Sequence, residues 1–278
     1  MDNLSLFDKT FSLSKITAYS LAMEIDYKHL AYTIIDNIRR RFVALVSHSF
    51  DTPATDETFL EVVGETIKKD PYLQKQYKEV NFIYPSDKFM LMPEKYFERK
   101  KLKFYFEIDN ELKDGEEIQF NYIPDIKSYL LFGISSDITN YFVNTFPIIN
   151  FYHQGIPLLN HYLKLSSAAS KPVIVIRILR QFLMDILAVN EGKVLFYNIF
   201  RCQGQEQALY DIFKVINDFG LDSNIEFIGE IDENDDIFKE LSLREVNVRF
   251  AGVPKGFSFE FENKVPVHKF ASLFYLFS

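Results

Sequence analysis

Five histidines, one cysteine and 39 acidic side chains are the raw material for chemistry in this 278-residue sequence. They do not assemble into a familiar motif. His153 and His161 stand eight positions apart, and no His-x3-His or paired-cysteine spacing suits a metal. Cys202 and His48 fall near the third strand of different halves, so a Cys–His nucleophile pair is not expected. The acidic run from Glu230 to Glu240 lacks the glycine and the alternating ligands of a calcium loop, and reads as a solvated lead into a helix. Two basic clusters, Arg39-Arg40-Arg41 and Arg99-Lys100-Lys101 with Lys103, read as solvated turns or helix ends. No Walker loop, Gly-x-Ser-x-Gly elbow or dinucleotide fingerprint occurs. No catalytic residue and no metal site is assigned from motifs.

What positions these side chains is a chain rich in apolar and aromatic residues: 47% hydrophobic, with 29 Phe and 16 Tyr and no Trp. This excludes a disordered chain, and a single cysteine excludes a disulfide scaffold and suits a reducing compartment. The net charge is −8 and neither half is basic, so nucleic acid is not an expected partner. The longest uncharged run, Ile138 to Leu163, holds four Asn, a Gln, two His and two Pro, too polar for a spanning helix. The start of the chain lacks a signal-peptide pattern, and the expectation is a cytoplasmic protein without membrane insertion.

Hydrophobic periodicity predicts strands over 19–26, 29–36 and 41–46, a helix over 55–69 capped by Thr55 or Asp56, and a strand over 80–84. A helix over 137–144, a strand over 148–152 and a helix over 156–165 close this half. The order returns with strands over 173–180, 182–190 and 193–200, a helix over 204–219 ended by Gly220, and a strand over 224–228. A helix over 235–241, a strand over 245–248 and a helix over 267–277 follow. Residues 19–36 superpose on 173–190 without a gap at an offset of 154, which falls to 145 at Val80/Ile225 and to 97 at Ile148/Glu245. The last fall marks a 48-residue insertion in the first half. Strands are expected in it over 87–92, 103–109, 117–123 and 128–133. The pattern is βββαβαβα twice, with a strand-rich insert at about 85–135; two unrelated α/β domains would be the alternative. The expected domains are 1–168 and 169–278.

A three-stranded meander followed by alternating helix and strand resembles the ribonuclease-H-like core. Two in tandem resemble the actin, heat-shock-chaperone and sugar-kinase superfamily. More narrowly, the chain is similar to an uncharacterised bacterial family with a degenerate actin-like ATPase fold. Tyr19-Ser20-Leu21, Met92-Pro93-Glu94 with Tyr96-Phe97, the run Gly192-Lys193-Val194-Leu195-Phe196-Tyr197-Asn198 and the closing Pro266-Val267-His268-Lys269-Phe270 carry this resemblance, which covers about residues 15–278. It implies an α/β fold with an ATP site whose phosphate loops lie in the first hairpin turn of each half. Glycine there would let backbone amides reach the phosphates, and an Asp would arrange Mg²⁺ and water. This sequence departs from that pattern. The first turn offers Asp26 and Lys28 but no glycine. The second offers Arg180 and Gln181, with neither Asp nor Gly. The position of the adenine-binding glycine pair holds Gly252 alone.

These departures lead to an expectation of a non-catalytic scaffold or partner-binding protein with a degenerate nucleotide cleft, no cofactor, and an unidentified protein partner; a homo-oligomer stays open. The alternative is an ATPase or phosphotransferase with atypical loops that uses Mg-ATP through Asp26 and Lys28. A ribonuclease-H-type nuclease is a second alternative. It would gather carboxylates from Asp26, Asp185 and Glu61 or Glu65 around two metals. The aromatic surplus points to the insert as the interface, at Phe104, Tyr105 and Phe106. On a strand these would face both sides and could not all enter one core.

Overall fold

The computed structural model describes residues 3–26, 28–50, 55, 58–179, 183–219, 222–244 and 247–278. Its elements are β1 (Leu4–Phe7), β2 (Ser20–Ile25), β3 (His29–Asp36), β4 (Arg41–Ser49), α1 (Phe59–Lys69), β5 (Glu79–Tyr84), β6 (Phe89–Pro93), α2 (Leu102–Phe106), β7 (Glu116–Ile123), β8 (Ser128–Ser135), α3 (Ser136–Thr145), β9 (Ile149–His153) and α4 (Gly155–Ser166). There follow β10 (Val173–Ile178), β11 (Leu183–Asn190), β12 (Lys193–Arg201), α5 (Gln205–Phe219), β13 (Asn224–Gly229), α6 (Asp236–Leu243), β14 (Asn247–Phe250), β15 (Ser258–Phe259) and α7 (Ala271–Tyr275). The chain divides into two compact units, Met1–Ile156 with Gly256–Phe261, and Pro157–Lys255 with Glu262–Ser278. The division falls at the start of α4, whereas the boundary expected after residue 168 lies beyond its end.

In the first unit one sheet runs β1-β4-β3-β2-β5-β9, and β15 also pairs with β4. The meander β2-β3-β4 is antiparallel, while β2, β5 and β9 are mutually parallel. Parallel neighbours need crossovers, so helices cover the sheet. This is why β2 is buried along nearly its whole length rather than on alternate residues. α1 contributes Phe59, Val63 and Ile67 to the buried side of the unit, and Phe82 of β5 stacks on Phe142 of α3 at 4.3 Å. Two strands escape sequence reading, β1 and β15, because each is short and gains its place only by pairing with β4.

The second unit holds the sheet β12-β11-β10-β13-β14 with the same directions: an antiparallel meander, then parallel β13 and β14. Ile174, Ile176, Ile186, Ile225 and Phe227 meet α5 and α6 through Ala208, Ile212, Ile216 and Leu241. The opposite face carries the polar residues that meet α4 and α7. The duplication is therefore real in topology, and the register refines it. Met23 faces Tyr32 and Phe82, as Ile176 faces Ile186 and Phe227. Both meanders carry an irregularity at one equivalent place, Ile34/Ile35 and Ala188/Val189.

Three expectations are corrected. The two hairpins do not superpose without a gap: Ile25 pairs with Leu30 but Ile178 with Met184, so the second turn is one residue longer. The offset is 145 at Phe82/Phe227 and 99 at Phe151/Phe250, so the insertion measures 46 residues rather than 48. The segment 103–109 is not a strand. Leu102–Phe106 is one helical stretch, because Leu102 and Phe106, four apart, share a face that closes on Met92 and Leu131. The remaining insert is the antiparallel sheet β6-β8-β7. α1 starts at Phe59 after Thr58, and Thr55 closes this end in a reciprocal pair: Thr55 Oγ1 accepts the Thr58 amide at 3.3 Å and Thr58 Oγ1 accepts the Thr55 amide at 3.0 Å; Asp56, Gly220 and Glu245 lie outside the described residues.

The insert also protects an edge. The Asn121 side chain on β7 donates to the Phe151 carbonyl at 2.8 Å and accepts from the His153 amide at 2.9 Å, so it satisfies the open side of β9 as a neighbouring strand would.

Gly229 ends β13 with φ +88°, and a Cβ there would lie 2.1 Å from the Ile178 carbonyl oxygen. Gly229→Ala is therefore expected to destabilise the protein by about 2–4 kcal/mol, read as a lower midpoint in urea.

Candidate functional site

Asp26 follows β2 at the first hairpin turn, where the resemblance places a phosphate loop. Its Oδ1 accepts the backbone amides of Lys28 and His29, both at 2.7 Å. The main chain closes beneath it, with Asp26 N donating to His29 O at 2.9 Å. The Lys28 carbonyl in turn accepts the Phe50 amide at 2.8 Å. This is a carboxylate-stabilised turn of the kind Asp favours. Two amides that would face a phosphate are instead directed at a negative group of the protein. The Lys28 side chain stands in solvent.

Arg180 and Gln181 lie outside the described residues. Gly252 is not in the left-handed region, and a Cβ on it would meet nothing nearer than Glu262 at 3.9 Å. Its carbonyl accepts the Tyr275 hydroxyl at 3.1 Å. Nothing at this position demands glycine.

The other candidate carboxylates are dispersed. Asp185 is fully buried in the second unit and is held by the guanidinium of Arg177, which also donates to Ser272 at 2.9 Å. Burial pushes the neighbouring Tyr197 hydroxyl far up, with the Asp185 charge adding to it, so Tyr197 stays a neutral donor to Asp185. Glu226 on β13 accepts Tyr162 of α4 at 2.7 Å and the Nε of Arg249 on β14 at 2.8 Å. Both clusters sit on the sheet face opposite the α5–α6 core and fasten α4 and α7 to it. Glu65 makes a surface pair with Lys69 at 2.9 Å. No group of three or more His, Cys, Asp or Glu is arranged for a metal among the described residues.

Three histidines are held in buried contacts. His153 Nε2 donates to the Ser86 carbonyl at 2.9 Å and its Nδ1 accepts the Gly155 amide at 3.0 Å, which defines one neutral tautomer. His161 stacks on Tyr275 at 3.8 Å, and burial, reinforced by Lys164, lowers its pKa to about 4. His268 contacts the Ile231 carbonyl, and burial lowers it as well. Burial raises the Cys202 thiol, and Asp211 adds to that, so the cysteine is a protonated core residue.

One cluster was not legible as a set. His48 on β4 meets Asp70 through Nε2 at 2.7 Å, and the Tyr32 hydroxyl donates to the same oxygen at 2.8 Å. The second oxygen of Asp70 accepts the amides of Tyr72 and Leu73. These residues border a groove of about 540 Å³ that also touches Glu61, Glu65 and Lys69. Burial alone would raise the Asp70 carboxyl. The bonds from His48, Tyr32 and the two amides outweigh it and hold the group below the ordinary carboxylate range. The overlooked signal was an Asp at the end of a helix, where the macrodipole disfavours it unless a tertiary partner compensates.

On the insert, Phe104 is 68% exposed and Tyr105 half-buried, but Phe106 is fully buried in the local core and offers no surface. Phe106 therefore leaves the expected interface, because the helical turn that carries the three rings points the third one inward.

Two units with one strand order, each a meander followed by parallel strands, define an actin-like ATPase fold. A Bacteroides thetaiotaomicron protein with actin-like ATPase fold and unknown function matches over 95% of this chain and 99% of that one, with TM-score 0.74 and 18% identity. A chain of the PilM–PilN type IV pilus biogenesis complex matches over 93% of this chain and 97% of that one, with TM-score 0.64 and 10% identity. The protein belongs to a family described as protein of unknown function (DUF3822), whose pattern matches residues 8–243. A search of curated proteins found no match. No helix among the described residues is long and apolar enough to cross a membrane.

Removing one partner of a buried ion pair strands the other, so Asp185→Asn is expected to destabilise the protein by about 3–5 kcal/mol in denaturant titration. Asp70 has a depressed folded pKa. Its contribution is present above the unfolded value of about 4 and is lost as pH falls through the folded value. Thermal melts across the acid range should show a steeper fall for the native protein than for Asp70→Asn.

Proposed function

We propose that the protein is a non-catalytic, partner-binding member of the actin-like fold that works in the cytoplasm. The observation that carries this reading is the first hairpin turn. The Lys28 and His29 amides are committed to the Asp26 carboxylate, which would also repel a phosphate placed there. A phosphate cradle needs the reverse: amides facing outward, around glycine. The Gly252 position, where the carbonyl serves Tyr275 and no glycine is required, supports the same reading. So does the dispersal of Asp185 and the other carboxylates into structural pairs, which leaves no two-metal arrangement among the described residues.

Partner binding is supported by the likeness to a chain of the PilM–PilN complex, an assembly in which this fold takes part alongside another protein. On the insert, Phe104 together with Tyr96, Ile108 and Tyr122 places large apolar side chains at the surface. The single cysteine, buried and protonated, suits a reducing compartment.

Isothermal titration with Mg-ATP and Mg-ADP, joined to a phosphate-release assay, tests the non-catalytic part. No turnover is expected. Micromolar binding with turnover that Asp26→Asn abolishes would replace this reading by the phosphotransferase one. Asp26→Ala is expected to cost about 1–2 kcal/mol of stability through the lost turn bonds, with no change in phosphate release.

A further inference from the structure

The two halves treat equivalent strands differently. In the first unit the outer side of β4 is covered by β1, with Leu4 opposite Ser47 and Phe7 opposite Ala44. In the second unit the counterpart strand β12 ends the sheet, and no described strand pairs with its outer side. The equivalence is fixed by the shared irregularity: Ile34 pairs with Ala44 and Ala188 with Phe196, so Ala44–Ser47 correspond to Phe196–Ile199, and Arg41 to Lys193. Burial follows the covering. Val43 is 1% exposed, whereas its counterpart Leu195 is 41% exposed. A nine-residue edge strand left open is a template for another strand.

The first unit shows what such an edge accepts. β1 reads Leu-Ser-Leu-Phe, and Asp8 follows it. Asp8 donates its amide to the Val43 carbonyl at 2.9 Å. Its carboxylate receives Arg41 Nε at 2.8 Å. That backbone bond places the Val43 carbonyl, and by alternation the amides and carbonyls of Leu45 and Ser47, on the side facing β1. Their counterparts on β12 are Leu195, Tyr197 and Ile199. The basic residue is retained too: exposed Lys193 stands where Arg41 receives Asp8.

We infer that β12 is a docking edge for an extended segment of a partner protein. The segment would add antiparallel, with apolar residues along Phe196–Ile199 and an Asp or Glu just after them that meets Lys193. A second copy of this chain fits less well. Antiparallel pairing of β12 with itself would place Lys193 opposite Arg201 of the copy, and like charges directly opposite are unfavourable. The inference rests on the partner-binding reading above but not on the absence of catalysis.

The test uses a labelled peptide copying residues 3–9 of this chain, Asn-Leu-Ser-Leu-Phe-Asp-Lys, and fluorescence anisotropy with the full-length protein. Saturable binding is expected, weakened about tenfold by Lys193→Glu and restored when the peptide's Asp is changed to Lys. Ile199→Pro, which removes an outward amide, should abolish binding, and a far-ultraviolet spectrum checks that the variant is folded. Lack of binding, or binding indifferent to both substitutions, overturns the inference. A concentration-dependent dimer dissolved by Lys193→Glu would assign the edge to a second copy and overturn the partner assignment. Nucleotide turnover would defeat the non-catalytic reading while leaving these outcomes unaffected.

Discussion

The parallel pairing of the first meander strand with the strand after the helix, β2 with β5 and β10 with β13, is the constraint on which the rest depends. A parallel pair cannot be closed by a tight turn, so a helix must cross over and cover the sheet. The central strands are then buried on both faces, and any polar side chain on them must find its partners inside the protein. In the first unit β2 meets this demand with mostly apolar residues. In the second, β10 and β13 carry Arg177 and Glu226. Each is paired with groups from neighbouring strands and from α7 or α4.

That pairing has a functional side. Carboxylates that might have served chemistry are committed to architecture. Asp185 holds Arg177, Glu226 holds Arg249 and Tyr162, Asp70 joins α1 to β3 and β4, and Asp26 closes its own turn. At the first turn the Lys28 and His29 amides are directed at the Asp26 carboxylate rather than outward. Large apolar side chains stand at the surface of the insert, and no described strand pairs with the outer side of β12.

The duplication also shows how one topology is finished in two ways. β4 and β12 carry the same irregularity and the same basic start, yet β4 is paired by β1 and β15 while no described strand pairs with the outer side of β12. The inserted sheet is likewise a finishing device, since Asn121 satisfies the backbone of β9 where the second unit has no such addition described.

Period-two runs and amphipathic helices in the sequence determined the order βββαβαβα twice, the presence of an insert and the lack of glycine at the first turn. Those properties are local, because alternation and the 3.6-residue repeat are written within a few residues. The tertiary structure decided the rest. Leu4–Phe7 and Ser258–Phe259 become strands only because β4 offers them backbone partners. Leu102–Phe106 becomes helical because Leu102 and Phe106 must reach one small core together. The extra residue in the second hairpin turn shows only in the pairing. His48, Asp70 and Tyr32 are far apart along the chain, and no spacing rule joins them; packing of β3 and β4 against the end of α1 does. Non-local hydrogen bonds and burial depend on which surfaces meet, and that is settled by the whole fold rather than by any segment of it.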